Sequence, residues 1–555
     1  MNKNLKHIAL LIITLVAINY LSSKIFNRFD LTKDKRYTLS PASVNCIKNV
    51  ESPIVIDIFL EGEDFPSEFR RLQKETKQLL EEFAAKNKNI VFNFINPIAN
   101  NNTRDRNIKQ LTQRGLTPMQ LNVQENGKST QEIIFPWALA SYNEQTVIIP
   151  LVKNKIGASQ QDLVTNSVQH LEYAFTEAFS KLTKQKTKKI AILKGNKQLK
   201  DKYIASFIKK ISEFYFIAPF TLDSISINPQ KTLNDLKKFD LIISAKPTEF
   251  FSEKEKFVLD QYTMNGGKSL WLIDAVAIEK DSLYNNLGKN IAVTRHLNLI
   301  DFFFKYGIRI NPVIVNTLYS APITLALGNG SKSQFQHLKW PYSPLSASNN
   351  NHPIVNNLNF VKFDFANQID TLKNNITKTI LLETAPLTKL EGTPREINLN
   401  LVTQEQNPAT FNKGNQALAV LLEGEFKSVY TNRIKPLKLS TIKNTSIPTK
   451  MVVIADGDVI KNDVIKNIPQ ELGFDRWTGQ TYGNKEFLLN TVNYLLDDDG
   501  LINIRSKNIT IPFLNQQKIT TQKTKWQLLN IALPLILLTI FGFVFNYFRK
   551  KKHIF

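Results

Sequence analysis

An apolar run from Leu528 to Phe548, closed at once by Arg549, Lys550, Lys551 and Lys552, sets the first limit on what this chain can fold into. At ~1.5 Å per residue such a helix is about 31 Å long, enough to cross a bilayer's hydrocarbon core. Trp526 and Tyr547 stand where interfacial aromatic rings stand, and the basic cluster marks the cytoplasmic side. Pro534 and Gly542, costly inside a soluble helix, are ordinary in a membrane span. The N-terminus carries a weaker counterpart. Residues 1–7, with Lys3 and Lys6, lead into a second span over 8–26, whose short apolar core is lengthened by the snorkelling stems of Lys6 and Lys24. No small-x-small site precedes Lys24, so an uncleaved anchor fits better than a cleaved export signal. Basic residues ahead of the first span keep that end inside. The expected topology is two-pass in the inner (cytoplasmic) membrane, with both ends inside and most of the chain in the periplasm. Lys33, Lys35 and Arg36, just after the first span, oppose this orientation, and the stronger C-terminal cluster outweighs them.

Between the spans no apolar run reaches ~18 residues, so the middle reads as a soluble region of two to four domains. The formal charge is +23; residues 1–36 contribute +5 and residues 549–552 +4, which leaves +14 on the ectodomain. The lysines are scattered, with no basic-aromatic RNA motif and no Cys/His finger, so nucleic acid is not the implied partner. Closeness to an anionic membrane surface fits the charge better. The single cysteine, Cys46, permits neither an intramolecular disulfide nor a Cys-x-x-Cys redox pair, and reads as a small buried hydrophobe.

Local patterns place the domains. Ser40-Pro41 starts a helix, with a capping hydroxyl and a proline at the first helical position. Ile54–Leu60 and Ile90–Ile95 read as strands joined by a helix over Ser67–Ala85, a parallel unit by its crossover length. Strands near 121–123, 131–135 and 145–149 complete a thioredoxin-like α/β domain over 27–155, without the redox cysteines. Residues 156–187 form a connecting amphipathic helix, its apolar seam made of Val164, Val168, Leu171, Phe175, Ala178 and Leu182. A partner helix or the chain's own domains could cover that seam.

Over 188–506 strands alternate with helices: Ile190–Leu193, Phe216–Phe220, Leu241–Ser244, Ser269–Ile273, Val313–Val315, Met451–Ala455 and Leu501–Ile504. That alternation predicts a doubly wound parallel sheet. The stretch 320–450, rich in Asn, Thr, Ser and Pro, reads as a β-rich insertion. Residues 507–527 are a polar juxtamembrane linker, 528–548 the second span and 549–555 a basic cytoplasmic tail.

Chemistry-bearing motifs are scarce. There is no Gly-x-x-x-x-Gly-Lys-Ser/Thr phosphate loop, so any ATP hydrolysis needs another chain. No Gly-x-Ser-x-Gly elbow occurs, and the six histidines have no metal-ligand spacing. Asp274, Asp456 and Asp458 end strands, where open α/β sheets bind ligands, and are the only candidate metal ligands. Their ordinary role is a strand-end turn or helix cap. The run Asp497-Asp498-Asp499 before Gly500 opposes the helix dipole and finds no local explanation.

Asp30-Leu31-Thr32 leads to Tyr37-Thr38-Leu39-Ser40; Asp456-Gly457-Asp458 is followed by Gly483-Asn484, Phe487, Asn490 and Arg505. In this order, between two flanking spans, these residues resemble the gliding-motility-associated auxiliary proteins of ABC transporters, the GldG family of gliding Bacteroidetes. The resemblance implies a central domain similar to class I glutamine amidotransferases, with Asp30, Tyr37, Ser40, Asp456, Gly457, Asn484, Asn490 and Arg505 as motif residues. It also implies an ABC permease and a separate ATPase as partners, an unknown transported substrate, and no cofactor. Amidotransferase chemistry needs a nucleophilic cysteine after a strand, and Cys46 lies in the wrong domain. The expected function is therefore a non-enzymatic substrate-binding or coupling subunit. A membrane-tethered metal-dependent hydrolase or transferase, or a purely structural envelope scaffold, are the alternatives.

Overall fold

The computed structural model describes residues 3–24, 30, 32, 35–62, 65–100, 102–125, 128–328, 333–348, 350–507 and 516–552. The chain divides into two units, Met1–Asn508 and Ile509–Phe555.

In the first unit, Ile54–Ile58 pairs in parallel with Ile90–Phe94 and antiparallel with Trp137–Tyr142, which continues to Gln145–Pro150. Ile54, Ile56 and Ile58 alternate into the core under the helix Ser67–Lys86, which buries Phe69, Leu72, Leu80 and Phe83. The hairpin Met119–Glu125 and Lys128–Ile134 forms its own two-stranded ribbon rather than extending the sheet. The extra sheet strand is Trp137–Tyr142, which the sequence patterns miss.

The long helix Gln160–Thr183 begins at a capping box, Ser159 with Asp162. Its seam is wider than the heptad reading implies, because Leu163, Tyr173, Ala174 and Phe179 are buried as well. Phe83 meets Phe179 edge-on at 5.2 Å, so the chain's own N-terminal domain covers part of this helix.

The central sheet has seven strands in the order Thr377–Glu383, Ala417–Gly424, Thr449–Ile454, Lys268–Leu272, Leu241–Ala245, Lys189–Lys194, Phe216–Thr221. The last five run parallel; the first two are antiparallel. Alternate residues feed two cores. Ile190, Ile192, Ile243 and Leu270 pack under the helices Asp201–Ile211 and Asn484–Leu496. Ala191, Leu193, Ile242 and Trp271 face the opposite side, against Glu253–Met264 and Ile300–Tyr306. Burial on both faces explains why these strands read as continuous apolar runs.

Three expectations are corrected. The stretch 320–450 is not a separate insertion, since Thr377–Glu383 and Ala417–Gly424 are members of the central sheet. Leu418 to Leu422 are fully buried there, and that burial favours pairing with Thr449–Ile454. Val313–Val315 belongs instead to Ile308–Thr317, antiparallel to Asn367–Thr371 and Thr388–Gly392 in another sheet. Leu501–Ile504 is not a strand but part of a 3-10 helix, Leu501–Ser506. The Asp497 carboxylate accepts from the Asp499 and Ile502 amides (3.0 Å each) and curls the chain there. The other two carboxylates of that acidic run pair with lysines, Asp498 with Lys188 and Asp499 with Lys184 (both 2.6 Å).

In the second unit, the helix Gln516–Lys552 breaks its geometry at Gln522 (φ −119°). Its stretch Thr521–Lys550 is long and apolar enough to cross a membrane. The N-terminal helix Lys3–Lys24 has a shorter apolar stretch, Leu10–Asn19.

Candidate functional site

Three parallel strands end side by side at the carboxyl edge of the central sheet, and each delivers a charged group. Leu241–Ala245 ends on Lys246, Lys268–Leu272 leads to Asp274, and Thr449–Ile454 leads to Asp456 and Asp458. The structure thus brings the three candidate aspartates together, two of them, Asp274 and Asp458, around an ammonium. Lys246 Nζ lies 2.7 Å from Asp458 Oδ1, 2.8 Å from Glu279 Oε2 and 3.4 Å from Asp274 Oδ2. Lys246 is only 2% exposed, and its backbone is left-handed at φ +53°. A non-glycine residue held there signals a position fixed by its surroundings.

Gly457 completes the arrangement. A Cβ at 457 would sit 2.4 Å from Lys246 Cγ and 3.0 Å from its Cα, so only glycine lets the two strand ends approach. The Gly457 amide donates to Asp274. Asp456 accepts from the amides of Asp458 (2.7 Å) and Asp364 (2.6 Å), capping the short turn Gly457–Ile460. Burial, then the neighbouring Asp458 and Asp274, push the Asp456 carboxyl well above its ordinary range. Burial also raises Asp274 and Glu279. Burial works against the charge on Lys246 too, but Asp458, Asp274 and Glu279 outweigh it and hold the ammonium well above its usual value. Lys461 sits 3.6 Å from Asp458 and 3.7 Å from Glu279 at the rim.

Asp458 and Lys461, at the edge of this network, line a cavity of about 1120 Å³ together with Asp364, Tyr482 and Trp477 among others. A cation ligated by Asp274 and Asp458 would have to displace the lysine head. Among the described residues no group of three or more His, Cys, Asp or Glu is arranged to hold a metal ion. Sequence reasoning passed over Lys246; its signal was a lysine directly after the short, mostly apolar strand Leu241–Ala245.

The other motif residues act as staples. Asn484 accepts from the Lys362 amide (2.9 Å) and donates to the Lys362 carbonyl (2.7 Å); Asn490 donates to the Ile354 carbonyl (3.0 Å). Arg505 donates to Pro353 O, Asn356 O and Glu486 Oε1. Lys153 also holds Glu486, and despite burial these two cations bring its carboxyl down to about 2.

A second convergence lies on the long helix. Buried Glu172 accepts from the Ser40 amide (2.6 Å) and Ser43 Oγ (2.8 Å) on Oε1, and from Lys507 Nζ (2.8 Å) on Oε2. Lys507 Nζ also donates to Thr38 O (2.8 Å). Asp30 fixes the approach by accepting from the Tyr37 amide (2.9 Å) and Thr38 Oγ1 (3.0 Å), and Ser40 caps the helix Pro41–Ile47. One carboxylate therefore ties together Ser40, Ser43 and Lys507, residues near opposite ends of the first unit.

Residues 187–491 match the family model described as an ABC-type uncharacterized transport system, the ABC transport auxiliary family. Residues 33–141 match a domain of unknown function, DUF7088. The chain is 22% identical, over 98% of its own length and 97% of the relative's, to an uncharacterized protein of Borreliella burgdorferi. Among solved structures, the mmIFT52 N-terminal domain is similar over 56% of this chain and 98% of that one, with 14% identity and a TM-score of 0.31. With more than half of the chain inside the first of these matches, the protein belongs to the ABC transport auxiliary family, accessory components of ABC-type transport systems.

Proposed function

We propose that this protein is the non-enzymatic accessory subunit of a GldG-type ABC transporter involved in gliding motility, working with a separate permease and a separate ATPase. Both terminal helices hold it in the cytoplasmic membrane, and the residues between them lie in the periplasm. In this reading residues 27–155 form a thioredoxin-like domain and residues 188–506 an amidotransferase-like one, joined by the helix of 156–187.

The observation that carries the reading is the Glu172 junction. The residues that follow the N-terminal helix and those that precede the C-terminal linker are bound to the same side chain. Such a clasp suits a subunit that couples an ectodomain to a permease through two helices. The non-enzymatic part rests on two further facts. Burial pushes the Cys46 thiol up to about 11, and the thiol donates to the Thr176 carbonyl (3.6 Å), so it is no thiolate nucleophile. At the ends of the three central strands Asp274 and Asp458 are engaged by the Lys246 head rather than left free for a metal or substrate.

Purification from native membranes in mild detergent, followed by mass spectrometry, tests the proposal. A permease and an ATPase should accompany the protein in fixed ratio; a partner-free protein would overturn it.

A further inference from the structure

The short helix Ile300–Tyr306 keeps apolar side chains on both of its faces. Phe302, Phe303 and Tyr306 are buried in the core, whereas Ile300 and Phe304, one turn apart, are 71% and 56% exposed. Segment 430–438 runs beside them. Its Tyr430 is buried and its Leu437 packs against the same core, which leaves Ile434 between them 94% exposed. The two segments are bonded to each other: Arg433 Nη1 donates to Asp301 Oδ2 (2.7 Å), so Ile434 and Ile300 each adjoin a member of one ion pair. Residues 252–256 complete the face. Lys256 Nζ holds Glu253 (2.8 Å) and Asp301 (2.9 Å), and Tyr430 Oη donates to Glu253 (2.8 Å). Three apolar prongs therefore stand on one platform whose segments are cross-linked by charged groups.

The charge left over on these segments has one sign. Their acids, Glu253 and Asp301, are both engaged, by Lys256 and Arg433. Lys254, Lys305, Lys435 and Lys438 are exposed and have no hydrogen bond or ion pair among the described residues. A protein partner would ordinarily meet a different surface, since protein interfaces are depleted of Lys and enriched in Arg and aromatic rings. Separate apolar side chains among lysines suit an anionic lipid surface. The prongs enter the acyl boundary while the ammonium groups stay with the headgroups. A bilayer is also within the chain's means, because Thr521–Lys550 is long and apolar enough to cross one.

We propose that this face, led by Ile434, Ile300 and Phe304, rests on an anionic lipid surface. The contact is with lipid and not with a permease, so it and the transporter reading can fail separately. The test uses the full-length protein with Cys46→Ala and Ile434→Cys, a polarity-sensitive dye on residue 434, reconstituted into phosphatidylcholine vesicles with or without phosphatidylglycerol. With phosphatidylglycerol the emission should shift to the blue, and quenching by lipids brominated in their acyl chains should exceed that in pure phosphatidylcholine by about threefold or more. Salt at about 0.5 M should remove most of that difference. So should Lys254→Gln, Lys305→Gln and Lys435→Gln combined, with the melting temperature unchanged. The same dye at Gln113→Cys, on the helix Arg104–Gln113, should not be quenched. Quenching at 434 that is absent, equal to that at 113, or indifferent to phosphatidylglycerol would overturn the proposal. A dye shielded from water yet not quenched by bromolipid would also overturn it, assigning the face to a protein partner.

Discussion

At residue 246 the chain spends a strained backbone and a buried ammonium to join three strand ends, and that choice has measurable consequences. Lys246→Met leaves Asp274, Asp458 and Glu279 without their cation, and should cost about 3–5 kcal/mol at neutral pH in urea denaturation. The loss should shrink as the pH is lowered, because burial raises Asp274 and Glu279, which take up protons above the ordinary carboxylate range. Gly457→Ala forces a Cβ against the Lys246 stem and should cost about 1–3 kcal/mol by the same measurement. Glu486 has the opposite sign. Its pKa is lowered from 4.5 to about 2, so its contribution is complete above pH 4.5 and disappears as the pH falls toward 2. Glu486→Gln should flatten that acid limb of the stability profile. At this scale the aspartates were legible, because strand ends in open sheets are recognisable places. Lys246 was not, because a lysine beside a proline reads as a turn until its strand is known to be buried on both faces.

Among the elements, the long helix Gln160–Thr183 organises the most. Its apolar positions were legible from their spacing. Its partners were not, since periodicity gives a face without saying what covers it. Glu172 shows the gap most plainly: a glutamate within an apolar helix looks like a solvated position, yet it is 3% exposed. Its three donors come from residues more than a hundred positions away. Glu172→Ala would strand the Ser40 amide and the Lys507 ammonium, and should cost about 1–3 kcal/mol. Hydrogen exchange gives the sharper check. Protection should fall together in Pro41–Ile47 and Leu501–Ser506 while the central sheet is unaffected. The misread strands teach the same lesson. Val313–Val315 is a strand as its β-branched residues require, but propensity does not choose between two sheets.

For the whole molecule, the parallel core was legible because four of its five strands are buried on both faces and announce themselves as apolar runs. The membership of Thr377–Glu383 and Ala417–Gly424 was hidden, since antiparallel pairing at the sheet's edge is set by tertiary contacts. The C-terminal helix long and apolar enough to cross a membrane was legible from length and composition alone. The proposed function joins these scales: residues 38–43 and Lys507 meet at one carboxylate, and in the proposed topology a membrane helix lies beyond each of them. Protease treatment of intact spheroplasts carrying a different tag at each end of the protein tests this most directly. The account predicts that both tags survive while the region 30–507 is digested; one tag lost with the other protected would contradict it.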